Sequence, residues 1–152
     1  NLVAPVYHCG FLSILQKILS CICHDCGKLM VDERDIKYRQ VSKIKHPQAR
    51  LSQLANICKG KKRCTHEALE VEGAKELDKG CGSIHPTVLR SGLNFKVKYP
   101  QTSEKEEQQD ENRTGERELF AEEALEILKR ISDEDCENLG LDPRFARPDW
   151  MV

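Results

Sequence analysis

The chain has 152 residues, enough for one ordinary domain or for a small domain with excursions. Aromatic residues make up only 5% and charged residues 32%, a lean supply for a self-sufficient core, so a metal staple or a large partner would help it fold. The net charge is −1, no secretory signal is visible, and no apolar run approaches the ~18 residues of a membrane span, so no membrane role is expected.

In chain order, Phe11, Ile14, Leu15, Ile18, Leu19 and Ile22 recur with the spacing of one buried helical stripe and predict a helix over 11–22. That helix leads directly into Cys23-His24-Asp25-Cys26-Gly27, a tight turn whose two thiolates can converge on one metal ion. From Arg34 to Cys64 ten Lys/Arg residues face a single acid, Asp35, a balance that suits a polyanion. Within this stretch a second helix is predicted over 47–58, with Pro47 in its first turn, Leu51, Leu54, Ala55 and Cys58 on one face, and Gly60 ending it. The basic loop Lys59-Gly60-Lys61-Lys62-Arg63 then delivers Cys64.

Residues 66–80 read as a polar loop, and Cys81 lies between Gly80 and Gly82, where the backbone can approach a metal closely. A hairpin follows, with arms over 85–90 and 93–99 and Ser91-Gly92 as the turn. Ten acids against three bases between Ser103 and Glu126, without apolar periodicity over 101–117, mark that segment as a flexible acidic linker. A third helix is predicted over 119–131, with Ala124, Ile127, Leu128 and Ile131 inward. Ser132 caps a short helix that ends at Leu139-Gly140. The tail 141–152, with two prolines, is expected to be extended and to dock on something, and both chain ends look cut from something longer.

The eight cysteines are an even number, which also allows disulfides. The missing secretory signal and the paired spacing favour a structural Zn²⁺ instead. Cys58 competes with Cys64 as a ligand, but its place on the apolar helix face makes it a packing thiol. His24, His66 and His85 sit near the ligands, yet four thiolates already complete a tetrahedron; Cys9, Cys21 and Cys136 are most simply packing residues. A disulfide-exchange role for Cys23 and Cys26 lacks the βαβ context such a site wants, and no catalytic constellation is visible. The residues alone thus describe an intracellular zinc-binding domain with a basic loop; a free-standing zinc-binding adaptor is one function open to it.

Five stretches, in order and at fitting spacing, carry a resemblance. They are Pro5-Val6-Tyr7-His8-Cys9-Gly10-Phe11-Leu12, Cys23-x-x-Cys26-Gly27-Lys28-Leu29, Gly80-Cys81-Gly82 with Pro86, Arg130-Ile131-Ser132-Asp133-Glu134-Asp135-Cys136, and Ala146-Arg147-Pro148-Asp149-Trp150-Met151. Together they resemble the N-terminal clamp region of the largest subunit of eukaryotic RNA polymerase II. The family's preceding zinc module and its continuation toward the catalytic aspartate motif are not in this sequence, and Cys9 is unusual for the family.

The resemblance implies that Cys23, Cys26, Cys64 and Cys81 are the ligands of a structural Zn²⁺. It implies an α+β fold, a small mixed helical domain with a β-hairpin. The organisation would be a zinc-binding clamp-head portion over 1–100, the linker over 101–117, and clamp helices with a docking tail over 118–152. It further implies a nuclear, mobile clamp element of a DNA-directed RNA polymerase, a nucleotidyltransferase whose Mg²⁺ is bound outside this segment. The partners would be other polymerase subunits, transcription factors, DNA and the RNA–DNA hybrid. Phosphate contacts would fall to Lys59, Lys61, Lys62 and Arg63, with Lys43, Lys45 and Arg50 upstream.

Overall fold

The apolar stripe of the first helix organises the packing. The computed structural model describes residues 12–65, 81–100 and 115–141. Helix α1 (Leu12–Cys21) buries Ile18, Leu19 and Cys21 completely and continues into buried Ile22. It packs on helix α3 (Pro47–Cys58) and on strand β1 (Thr87–Ser91), so one stripe joins the helices to the sheet. Two polar contacts fix the arrangement: Lys17 Nζ donates to Ser52 Oγ at 2.9 Å, and Gln16 Nε2 donates to the Val88 carbonyl at 3.1 Å.

Helix α3 has the predicted bounds. His46 caps it by accepting the Ala49 amide on Nδ1 at 3.3 Å, Pro47 opens it, and Leu51, Leu54, Ala55 and Cys58 are its buried face. A short helix α2 (Ile36–Val41) precedes it and was not foreseen. Its Asp35 carboxylate accepts from the Lys37 amide at 2.8 Å, and it buries only Tyr38 and Val41.

The hairpin continues through β2 (Asn94–Lys98) and adds a third strand, β3 (Glu116–Leu119), in the antiparallel order β1-β2-β3. Ser91 pairs with Asn94, so the two-residue loop is Gly92-Leu93 rather than the expected Ser91-Gly92. Gly92, at φ 63°, takes the first central position, where a type II′ turn needs a positive φ. Strand β3 corrects the linker boundary: residues 116 and 117 pair with Lys98 and Val97, while 101–114 lie outside the described residues. Leu119 opposite Phe95 buries the end of this strand.

Helix α4 (Ala121–Lys129) is shorter than expected because Leu119 belongs to the strand. Glu123 accepts the Phe120 amide at 3.1 Å and the Arg117 guanidinium at 2.9 Å, which ties the helix start to β3. Helix α5 (Asp133–Leu139) starts on Ser132, whose Oγ accepts from the Asp135 amide at 3.2 Å, and ends at Gly140 as predicted. The loop 66–80 and the tail from 142 onward are outside the described residues. Among the described residues no helix is long and apolar enough to cross a membrane.

Arg50 has a different role from the phosphate contact expected of it. Its guanidinium donates to the carbonyls of Ile44, Glu137 and Asn138, each at 3.0 Å, and so holds the last turn of α5 against α3. Glu137 and Asn138 lie in the last turn of α5, and a charged donor to such carbonyls stabilises strongly. Replacing Arg50 with Ala is expected to cost about 2 kcal/mol. Chemical denaturation checks it: a midpoint unchanged from wild type would show that the three bonds add nothing.

Candidate metal centre

The first wall of the centre grows out of α1. Ile22 and Leu29 form an antiparallel bridge, and inside it the Cys23 amide donates to the Lys28 carbonyl at 2.9 Å while Gly27 N donates back to the Cys23 carbonyl at 3.0 Å. The two cysteines of the C-x-x-C step are thereby turned to one side. Gly27 has φ 72°, and a Cβ there would lie 2.5 Å from Arg130 Cβ and 2.7 Å from its carbonyl oxygen. No other residue fits that space. Arg130, just past α4, donates from Nη1 to the carbonyls of His24 and Asp25 at 3.2 and 3.1 Å. From α5, Asp135 Oδ2 accepts the Leu29 amide at 3.3 Å. The C-terminal helices therefore hold the knuckle from outside.

The second wall joins two distant segments. Arg63 and Ile84 form a bridge, Cys64 N donates to the Ser83 carbonyl, and Gly82 N donates to the Cys64 carbonyl, both at 2.9 Å. His85 N adds a bond of 2.8 Å to the Lys62 carbonyl. This short ladder places Cys64 beside Cys81 although the loop between them is long.

Across the two walls the sulfurs of Cys23, Cys26, Cys64 and Cys81 all lie within 4.8 Å of one another. Cys23 Sγ is 3.4 Å from Cys81 Sγ, and Cys26 Sγ is 3.6 Å from Cys64 Sγ. A tetrahedral Zn²⁺ with bonds of about 2.3 Å spaces its sulfurs about 3.8 Å apart, so these four could hold a metal ion of that size. The electrostatics point the same way. The hydrogen bond from Cys64 holds the Cys23 thiol well below its ordinary range, toward a thiolate. The same bond, together with burial, pushes Cys64 far up, and burial raises Cys26 to about 11. Four crowded thiols cannot all ionise around nothing, and a divalent cation removes that conflict.

The other candidates fall elsewhere. His24 Nε2 contacts the Leu19 carbonyl at 2.9 Å and His85 Nε2 the Ser20 carbonyl at 3.0 Å, with the rings edge to face at 5.2 Å. Burial pushes His24 down to about 4, so both rings serve as neutral packing groups beside the sulfurs. Cys58 is fully buried against α1. There the hydrogen bond with Cys58, then burial, raises the Cys21 thiol far above its ordinary value, which makes it unreactive. Cys136 is buried in the core. Every described cysteine is a free thiol. Cys9 and His66 lie outside the described residues. Lys59, Lys62 and Arg63 are exposed, Lys61 approaches Asp35 at 3.9 Å, and Arg63 Nη1 reaches the Gly82 carbonyl at 3.3 Å. Sequence reasoning missed Arg130. A basic residue closing a helix hints at carbonyl contacts, but nothing in the sequence says whose carbonyls.

Comparison with known proteins adds a second kind of observation. Residues 1–152 match the family described as RNA polymerase Rpb1, domain 1. The chain is also similar to the DNA-directed RNA polymerase II subunit RPB1 of Euplotoides octocarinatus, at 35% identity over all 152 residues. It spans 30% of that relative's length.

Because Arg130 orients the knuckle without touching a sulfur, its loss should weaken metal binding more than folding. Arg130→Ala is expected to lower metal affinity by roughly 10-fold or more, the usual effect of removing a group that orients ligands. Competition with a chromophoric chelator measures this, and an affinity equal to wild type would remove Arg130 from the centre.

Proposed function

The chain belongs to the RNA polymerase Rpb1 domain 1 family, as part of the largest subunit, and on that premise we propose that it is a zinc-stapled clamp element of RNA polymerase II. The match over the whole chain is the observation that carries this reading. The work of the element is mechanical: it forms part of a mobile wall over the nucleic-acid cleft. The parent assembly transfers nucleotidyl groups with Mg²⁺ held elsewhere in the subunit. The location that follows is the nucleus, with other polymerase subunits and transcription factors as neighbours.

Cys23, Cys26, Cys64 and Cys81 would hold Zn²⁺, and their spacing and mutual charge conflict support that choice. The ion supplies cross-linking and no reaction chemistry. The backbone ladder 62–64 with 83–85 keeps the basic loop at a set distance from the knuckle and the hairpin. Segments before and after the acidic stretch act as one unit, supported by the contacts of Arg130, Asp135 and Arg50 across the sequence gap. Lys59, Lys61, Lys62 and Arg63 would meet phosphates of DNA and of the RNA–DNA hybrid. The lysines are point charges on flexible stems, suited to backbone contact without base readout.

Cys81→Ser tests the ion. Cys81 is the exposed ligand, so its loss opens the centre without leaving a buried cavity. The purified polymerase carrying it is expected to lose one equivalent of zinc by elemental analysis, and protease sensitivity should rise next to residues 61–65. Retention of the full zinc content would refute the four-thiolate assignment. Binding of such an ion typically contributes about 10 kcal/mol or more to folding, comparable to the whole stability of a domain.

A further inference from the structure

A cleft of about 430 Å³ lies beside the metal centre, between the end of α3 and the two strands of the hairpin. Lys59, Lys61 and Lys62 line it from the basic loop, and Lys98 lines it from the end of β2. Pro86 and Val88, both buried, contribute apolar lining. No acidic residue lines the cleft among the described residues.

The positions of the four lysines follow from the fold. Alternation along β2 buries Phe95 and Val97 and turns Lys96 and Lys98 outward. Glu116 stands opposite Lys98 in the register, yet its carboxylate is bonded to Lys96 at 3.4 Å. On the loop side, Lys61 N donates to the Cys58 carbonyl at 2.9 Å and the Lys62 carbonyl accepts from His85 N, so the backbone under the lysines is fixed. Lys61 leans toward Asp35 at 3.9 Å, which reduces its share of the field in the cleft. His85 also lines the cleft, but its Nε2 must donate to the Ser20 carbonyl. Its Nδ1 is then a bare acceptor that offers nothing to an anion.

Like charges around a concave, partly apolar surface repel one another and focus a positive field, and a bound anion relieves both effects. We propose that this cleft seats a backbone phosphate of nucleic acid, with Lys98 joining Lys59 and Lys62 as its principal contacts. The proposal rests on the clamp reading and extends it by a residue 35 positions beyond the basic loop. It also ranks the cations: Lys61, shared with Asp35, and Arg63, which does not line the cleft, contribute less.

The test uses the assembled polymerase carrying single substitutions and measures affinity for random-sequence DNA as salt is varied. Each lost phosphate contact lowers the log–log salt slope by about 0.9. Lys98→Gln is expected to show that reduction, as is Lys59→Gln, while Lys98→Arg restores the slope. Lys129→Gln, an equal charge change in the last turn of α4 and outside the cleft, should leave it unaltered. If Lys98→Gln matches Lys129→Gln while Lys59→Gln lowers the slope, the cleft proposal fails and the basic-loop reading stands. If no substitution in the basic loop changes the slope, both fail. A third arm titrates inorganic pyrophosphate alone. Pyrophosphate binding lost in Lys98→Gln with an unchanged DNA slope would overturn the nucleic-acid assignment in favour of a free phosphate ligand.

Discussion

Four sulfurs gathered within 4.8 Å cannot all ionise unless a positive charge stands among them. Without one, protons must be shared, and the group divides into a thiolate-like Cys23 and a Cys64 held firmly neutral. The rest of the fold depends on how this conflict is resolved. The sulfurs belong to two backbone walls, Cys23–Lys28 and Cys64 with Gly82–Ser83, which the packing of α1 on α3 and β1 and the contact of His85 Nε2 with the Ser20 carbonyl bring face to face. A cation at their centre would turn that conflict into a cross-link between sequence positions about 60 residues apart. In a chain with few aromatic residues, that cross-link would take the place of a larger core.

The apolar packing and the centre reinforce each other through α1. Its buried stripe fixes the helix between α3 and β1, and its last turn runs directly into the first knuckle. The orientation of Cys23 and Cys26 is therefore inherited from core packing. Arg130 and Asp135 then close the knuckle from the opposite side, using residues more than 100 positions away in sequence. Gly27 is the point where the two systems touch, because only a missing Cβ lets Arg130 approach so closely. A perturbation at the α4–α5 corner is thus transmitted to the sulfurs through hydrogen bonds to backbone carbonyls.

How much of this was legible depends on whether a signal is local. Helix α3 could be read to the residue because Pro47 and its apolar face agree, and α5 because Ser132 and Gly140 mark both ends. The C-x-x-C turn was equally plain. Grouping Cys64 and Cys81 with it rested on resemblance, since the ladder that joins them is a long-range contact. Strand β3 escaped notice because Glu116-Arg117-Glu118 sits inside an acidic stretch and only Leu119 is buried, so alternation was hidden by charge. Helix α2 was too short to show a period. Arg50 looked like part of a basic surface, yet a guanidinium serves carbonyls as readily as phosphates, and only the tertiary fold decides which it meets.

The distinction between arginines and lysines also orders the basic surface as a whole. Arg50, Arg130 and Arg63 each direct N–H groups at backbone carbonyls, where a planar fork can bridge two or three acceptors. Lys59, Lys62 and Lys98 stand at the cleft instead, as compact charges on flexible stems. On the proposed clamp reading, that division would suit an element that closes on nucleic acid of any sequence. The carbonyl-bonded arginines would then fix the wall while the flexible lysines follow a shifting phosphate backbone, with no base readout required of either group. The loop that carries most of these lysines is anchored at Cys64 and His85, next to the sulfurs, so an ion held there would staple the fold and also set where the charge is presented.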